Sequence, residues 1–274
     1  MENFSVLMSV YKNEKAEYLE LAIDSILKQT IVPNEIVIVK DGTLTHELEM
    51  ILDKFSTKYE FFKFLEFKEN RGLGLALRDG VLSCSNELIA RMDTDDISKL
   101  ERFEKQLTYI ANHPEVAVLG TCIEEFSKNI NAPDSATILP LTHDEIVKFS
   151  KKRNPFRHMT VLFKRSAVIS SGNYRDFLWF EDYHLWLRLM RKGYIMANLH
   201  DVLVSVRADD DMFSRRGGYK YLKQDIKFQI FMYENDYINF YEFIRNVFIR
   251  SAIRCVPNKV RNIFYKKFLR SSID

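Results

Sequence analysis

Glu87-Leu-Ile-Ala-Arg-Met-Asp-Thr-Asp-Asp96 opens as a short apolar run and closes in three carboxylates, Asp93, Asp95 and Asp96. An apolar run of this length ahead of a polar cluster reads as a buried parallel strand entering a loop. In open α/β sheets, ligands bind in the crevice beyond the carboxyl ends of the strands. Three carboxylates so close repel one another, and a fold tolerates them best beside a cation or a polyhydroxyl ligand. Position alone therefore puts Asp93-Thr-Asp95 where a metal-bound diphosphate could sit. A plainer alternative covers part of the stretch. Ser98 and Glu101 have the spacing of a capping box ahead of Leu100, Phe103, Leu107 and Ile110. That would start a helix over 99–112, but it leaves Asp93 and Asp95 unexplained.

Outward from this stretch, strand and helix patterns alternate. Phe4 to Val10 is an apolar run of strand length, followed by Tyr11-Lys-Asn-Glu14. Leu19, Ala22, Ile23, Ile26 and Leu27 then recur at helical spacing. Glu35 to Lys40 is a second buried strand, ending in Asp41-Gly42, and a helix to about Phe55 follows. A third strand near 61–67 leads through Asn70-Arg-Gly72 into a helix carrying Leu73, Leu77 and Val81. This alternation predicts βαβ units and a mostly parallel, right-handed wound sheet in an α/β fold. The strand ends would lie side by side, so their polar tips describe one cleft.

Further on, Val116 to Phe126 reads as a strand, 143–151 as a helix and Met159 to Lys164 as a short strand. Glu181 to Lys192 reads as a helix ended by Gly193. Ile195 to Ala197 and Val202 to Arg207 read as two short strands, and the chain from about Gly218 as helices.

Composition excludes several classes. The chain has 274 residues, 46% hydrophobic, with no apolar run of eighteen. Its first residues are expected to be a strand rather than a signal peptide. Three widely spaced cysteines, Cys84, Cys122 and Cys255, argue against a disulfide framework or a zinc site and fit a reducing cytoplasm. Net charge is +2, but residues 241–274 hold eight Lys/Arg against two acids, so this tail is +6 and the first 240 residues −4. In it Val260, Ile263, Phe264 and Phe268 form a helical stripe, with the stem of Lys267 free to snorkel. A basic amphipathic helix of this kind binds anionic membrane surfaces, so peripheral contact through 241–274 is one expectation. A helix packed on the body with a solvated basic face is the other. No nucleic-acid motif accompanies the charge.

Taken in order, Ser5-Val-Leu-Met-Ser-Val-Tyr-Lys-Asn-Glu14, Val39-Lys-Asp-Gly-Thr43, Asn70-Arg-Gly-Leu73, Met92-Asp-Thr-Asp-Asp96, Arg102-Phe-Glu-Lys-Gln106 and Phe180-Glu-Asp-Tyr-His-Leu-Trp-Leu-Arg188 resemble the family 2 glycosyltransferases. These are inverting enzymes of the GT-A fold. The likeness covers roughly residues 4–207 and is greatest to members that build bacterial capsule, exopolysaccharide or O-antigen. It implies a donor half at about 1–97, an acceptor half at about 98–216 and a basic helical extension at 217–274. It also implies a UDP-sugar donor, a lipid-linked or oligosaccharide acceptor, and Mn²⁺ or Mg²⁺.

By the same resemblance, Tyr11 and Glu14 flank the nucleotide, Asp41 accepts from the uracil N–H, and Gly42, Asn70 and Gly72 complete the nucleotide site. Asp93 binds the ribose or sugar, Asp95 ligates the metal, and Arg78 lies near the diphosphate or donor sugar. The family usually shows Ala-Arg-Asn-x-Gly where this chain has Leu77-Arg-Asp-Gly80, which puts the contact of position 79 in doubt.

Asp182 is the implied general base, taking the proton of the attacking hydroxyl. A helix N-terminus favours its ionised form; a plain first-turn acid, like Glu181, is the alternative. Trp186 reads as core and Trp179 as core or an acceptor-sugar platform. His158 lines the acceptor side or is bonded within the fold. Arg207, with Ser214, Arg215 and Arg216, falls where the family has a loop closing over the diphosphate, and Gly217-Gly218 offer it a hinge. A solvated charge run is the alternative. The rivals are a sugar-nucleotide nucleotidyltransferase, which wants a Gly-rich phosphate loop where Tyr11-Lys-Asn-Glu14 stands, and a silent nucleotide- or glycan-binding module.

Overall fold

The computed structural model describes residues 2–208 and 218–255, with side chains to 252. Phe4–Val10 (β1), Glu35–Lys40 (β2), Phe62–Glu66 (β3) and Leu88–Arg91 (β4) lie parallel in the order β3-β2-β1-β4. Parallel neighbours need crossovers, here the helices α1 (Ala16–Leu27), α2 (His46–Lys58) and α3 (Leu73–Ser83). Both faces of β1, β2 and β4 are covered, while the edge strand β3 leaves Lys63 and Glu66 exposed. Val6, Met8 and Val10 face the buried stripes of α1 and α2, while Leu7, Val37 and Val39 face Ala76, Leu77 and Val81 of α3. That is why the strands read as continuous apolar runs rather than alternating ones. Their order brings the tips after β1, β2, β3 and β4 into one row.

Beyond β4 the sheet continues through antiparallel Leu162–Lys164 (β8), then Val116–Phe126 (β6) and Ile195–Arg207 (β9). Ile97–Ser98 (β5) lies on the far side of β9, and Ser135–Thr137 (β7) pairs with β6. The remaining helices are α4 (Arg102–Asn112), α5 (His143–Ser150), α6 (Arg165–Ser170), α7 (Glu181–Arg191), α8 (Tyr219–Glu234) and α9 (Phe240–Cys255). The α8 side chains Phe228 and Met232 pack on Phe180, Tyr183 and Leu187 of the α7 region. Among the described residues no helix is long and apolar enough to cross a membrane.

Several local expectations need correcting. The two strands expected at 195–197 and 202–207 are one strand. Its polar middle reads as a break, but Asn198 donates to the carbonyls of Pro140 (2.7 Å) and Pro155 (3.1 Å), and Asp201 pairs with Lys105 at 2.6 Å. Met159 to Lys164 splits into a 3-10 turn at His158–Thr160 and the shorter β8. The capping box does not form. Ser98 lies in β5, Leu100 is exposed, and α4 starts at Arg102 with no side-chain cap.

The reason is Arg102, whose guanidinium is wholly buried. It donates to the Arg91 carbonyl (2.8 Å), to Ser98 Oγ (2.9 Å) and to Gln106 Oε1 (3.1 Å). Gln106 in turn donates to the Thr160 carbonyl at 2.8 Å. Burial, with the charge of Arg91 behind it, brings Arg102 down to about 9. A strand exit, a helix start and a turn from three separate segments thus share one cation. The expectations placed on Ser214, Arg215, Arg216 and Gly217, and on the stripe Val260, Ile263, Phe264 and Phe268, lie outside the described residues.

Breaking a fully buried charged network leaves its partners unsatisfied. Arg102→Ala is therefore expected to lower the unfolding free energy by ~3 kcal/mol or more. Urea titration checks this, and a loss below about 1 kcal/mol would remove the network's structural role.

Candidate active site

The tip of β2 is tied to the loop after β3. The buried Asp41 carboxylate accepts from the backbone N–H groups of Arg71 (2.7 Å) and Gly72 (3.0 Å) and from Asn70 Nδ2 (3.0 Å). Gly42 allows the approach: its φ is +91°, and a Cβ there would lie 2.8 Å from the Asn70 nitrogen. Tyr11 and Glu14 sit beside this loop's row, in the turn that follows β1, where the Glu14 N–H donates to the Tyr11 carbonyl at 3.1 Å. Arg78 takes a different direction. Its Nε donates to Asp79 Oδ1 (2.8 Å), and Arg71 holds the other oxygen (3.0 Å). The departure at position 79 thus gives α3 its own ion-pair pattern, and among the described residues no contact joins Arg78 to Asp93 or Asp95.

At the tip of β4 the carboxylate oxygens of Asp93, Asp95 and Asp96 lie within 4.8 Å of one another. Burial first, then the neighbouring carboxylates, raises Asp95 to about 6 and Asp96 well above its ordinary value. Asp96 accepts from the Arg207 backbone N–H at 3.0 Å, so it fastens the end of β9. Asp95 has no ion pair among the described residues. The Arg207 guanidinium is stacked 3.8 Å above the Tyr18 ring and 4.7 Å from Phe126, close enough for its charge to favour ionised Asp95. Crowded, hard oxygen donors with unmet negative charge fit Mg²⁺ or Mn²⁺, with Asp95 and Asp93 as the ligands.

A buried cation within this group is Arg91, only 2% exposed and ion-paired with Asp93. Among the described residues its Nε and Nη1 have no hydrogen-bond partner. The sequence reading missed it, although a lone arginine in an apolar strand carried a signal: a buried charge has to be paired. Its field reaches a second acid pair at the start of α7, lowering both Glu181 and Asp182 against the effect of burial. So the charge of one guanidinium acts on Asp93, Asp95, Glu181 and Asp182. Asp182 is half-buried, accepts from Asn154 Nδ2 at 2.6 Å, and is raised by desolvation above its usual range. Glu181 is raised to about 7, by burial and then by the charge of Asp182. Gly74 of α3 makes room for it, since a Cβ there would lie 2.8 Å from Glu181 Cγ and 2.6 Å from the Arg175 carbonyl.

The aromatic neighbours divide. Trp186 is fully buried. His158 lies tilted against Tyr174, bonds its hydroxyl through Nε2 (2.8 Å), and is held neutral by burial and by Arg91. Trp179 is exposed, has a φ of +68°, and lies flat on Tyr221 with ring centroids 4.8 Å apart. A non-glycine residue in that conformation is strained, and such strain gathers at functional sites.

The description "Glycosyl transferase family 2" matches residues 5–172, more than half of the chain. The chain belongs to this family. This family 2 enzyme is 39% identical over 264 residues to the amylovoran biosynthesis glycosyltransferase AmsE of Erwinia amylovora, covering 96% of this chain and 98% of that one. It is 36% identical over 267 residues to the UDP-Gal:alpha-D-GlcNAc-diphosphoundecaprenol beta-1,3-galactosyltransferase of Escherichia coli, covering 97% and 96%. Among solved structures, the mannosyltransferase PcManGT of Pyrobaculum calidifontis, in complex with GDP-Man and Mn²⁺, superposes with a TM-score of 0.63 at 17% identity. It covers 95% of this chain and 72% of that one. Staphylococcus aureus TarS 1-349 with UDP-GlcNAc superposes with a TM-score of 0.61 at 17% identity, covering 83% and 66%. These likenesses establish the GT-A fold for this glycosyltransferase.

The raised acids have a consequence for stability. Glu181 in the fold titrates near 7 against an ordinary 4.5, so the folded state holds its proton more tightly. The stabilisation is complete below the ordinary value and is lost as pH rises through about 7. Thermal stability without metal should therefore fall between roughly pH 5 and 8. Glu181→Gln should flatten that slope by on the order of 3 kcal/mol. An unchanged slope in the variant would remove Glu181 from the effect.

Proposed function

We propose that this glycosyltransferase moves a sugar from a UDP-sugar to a hydroxyl of a lipid-linked glycan, with inversion, during assembly of a bacterial surface polysaccharide in the cytoplasm. The observation that carries the reading is the pair of acid sets around Arg91: Asp93 and Asp95 from β4, and Asp182 from α7. Whole-length similarity to an enzyme named for UDP-Gal and a diphosphoundecaprenol acceptor supports the donor and acceptor classes, and AmsE supports the polysaccharide context.

On this reading residues 1–97 hold the donor, 98–216 shape the acceptor side, and 217–274 form an extension. Tyr11 and Glu14 flank the nucleotide. The Asp41 Oδ1 atom, which accepts one protein hydrogen bond, keeps a lone pair for the uracil N–H. Asn70 and Gly72 form the edge of that pocket, and Arg78 leaves Asp79 to meet the diphosphate. Asp93 orients the ribose or sugar. Mn²⁺ or Mg²⁺ on Asp95 and Asp93 would neutralise charge on the departing UDP. Asp182 takes the acceptor proton as its oxygen attacks the anomeric carbon and the bond to the β-phosphate breaks. Burial raises the basicity of Asp182, which suits a group that must gain a proton. Trp179 offers its free face to an acceptor sugar, His158 supports the wall behind it, and Arg207 adds charge beside the metal.

A UDP-release assay over a panel of UDP- and GDP-sugars, with and without Mn²⁺, tests the donor and metal assignments. Asp182→Asn keeps the acceptor oxygen for Asn154 and should fold normally and bind UDP unchanged. Turnover should fall by roughly 10²–10⁴. Asp95→Asn should abolish the response to Mn²⁺. Undiminished turnover in Asp182→Asn would overturn the base assignment.

A further inference from the structure

α8 and α9 form an antiparallel hairpin held by a buried polar seam. Asn246 Nδ2 donates to Gln229 Oε1 at 3.0 Å, and Arg250 pairs with Asp225 at 2.7 Å. That seam, with Phe243, occupies the inner side of α9. The outer side is apolar. Phe240, Tyr241, Ile244, Phe248 and Ile249 are all exposed, Tyr241 by 75% and Phe248 by 74%. At 100° per residue they fall on one broad face, and Tyr233 of α8 extends it by an edge contact to Phe240, with ring centroids 6.1 Å apart. A contiguous apolar face of this kind on a soluble body marks an interaction surface.

Charge selects the partner. Glu242, the only acid in α9, is turned to Lys151 (3.3 Å), and the half-buried Arg245 donates to Asn246 Oδ1 (2.9 Å). Residues 241–274 carry +6 in all. Most of that charge follows α9 in the sequence, and a like charge on a second copy opposes self-association. An apolar, aromatic stripe within a basic segment fits the boundary of an anionic bilayer, with the rings among the headgroups and the cations against their phosphates. We propose that the outer face of α9 docks this protein on an anionic lipid surface. The assignment bears on the lipid-linked acceptor read above, but the docking itself needs neither donor nor acceptor.

Flotation of the full chain with two kinds of vesicle tests this: phosphatidylcholine alone, and phosphatidylcholine with roughly 30 mol% phosphatidylglycerol. The anionic vesicles should bind at least about tenfold more protein, and the excess should shrink as salt rises. Tyr241→Ser/Phe248→Ser should lose about tenfold of the binding while keeping its melting temperature, because both side chains are exposed. Equal partition into both vesicles, or a variant that binds like the wild type, would overturn the proposal. So would a dimer that the variant splits and that binds no vesicle, which would assign the face to a second copy. The vesicles contain no acceptor. A protein that floats but releases no UDP would sink the transfer reading alone, and an active enzyme that does not float would sink this one alone.

Discussion

The Arg91 guanidinium is the positive charge that lets this molecule keep its carboxylates together. Four acids from two distant stretches, Asp93, Asp95, Glu181 and Asp182, feel it, and each also bears a burial penalty or a like-charged neighbour. In a region of low effective dielectric, such a group without an internal cation would protonate or push apart. The cation is itself held in place. Arg102 takes the Arg91 carbonyl, and the Val161 carbonyl takes its N–H at 2.8 Å, so the backbone that aims the guanidinium is fixed from both sides. The order of dependence runs from a helix start, through a strand end, to the acids.

One cation does not balance four acids. The surplus shows in Asp95 near 6 and Glu181 near 7, both far above the usual carboxylate range. A divalent ion at Asp93 and Asp95 would relieve the first of these and leave the second, on the Glu181–Asp182 pair, in place. The two acid sets thereby acquire different proton affinities from their surroundings, as acid–base chemistry requires.

Periodicity made the first half of the fold legible. The stripe Leu19, Ala22, Ile23 and Ile26 is the buried face of α1, and the strand runs are buried on both sides as their unbroken apolar character implies. The row of tips followed from strand order, and the structure does join Asp41 to Asn70 and Gly72. What stayed hidden was set by partners remote in sequence. Ser98 looked like a cap because its true neighbour, the buried Arg102 guanidinium, has no local signature. The strand pattern breaks after Ala197 in the sequence because two proline carbonyls across the fold satisfy Asn198. Arg91 was passed over in favour of the acids it neutralises. The direction of Arg78 could not be read without the geometry of Asp79, a position already marked as unusual.

The contact at Gly74 links the two parts of the catalytic body more tightly than their sequence order suggests. Helix α3 precedes the acid-tipped strand and Glu181 follows it by some way, yet they meet where a methyl group would not fit. Relatives could not trade these parts as interchangeable cassettes, because a replacement α7 would arrive with its own spacing at this seam. Diversification within such a scaffold is instead channelled to the strand tips and the exposed rim, where side chains change without disturbing the join.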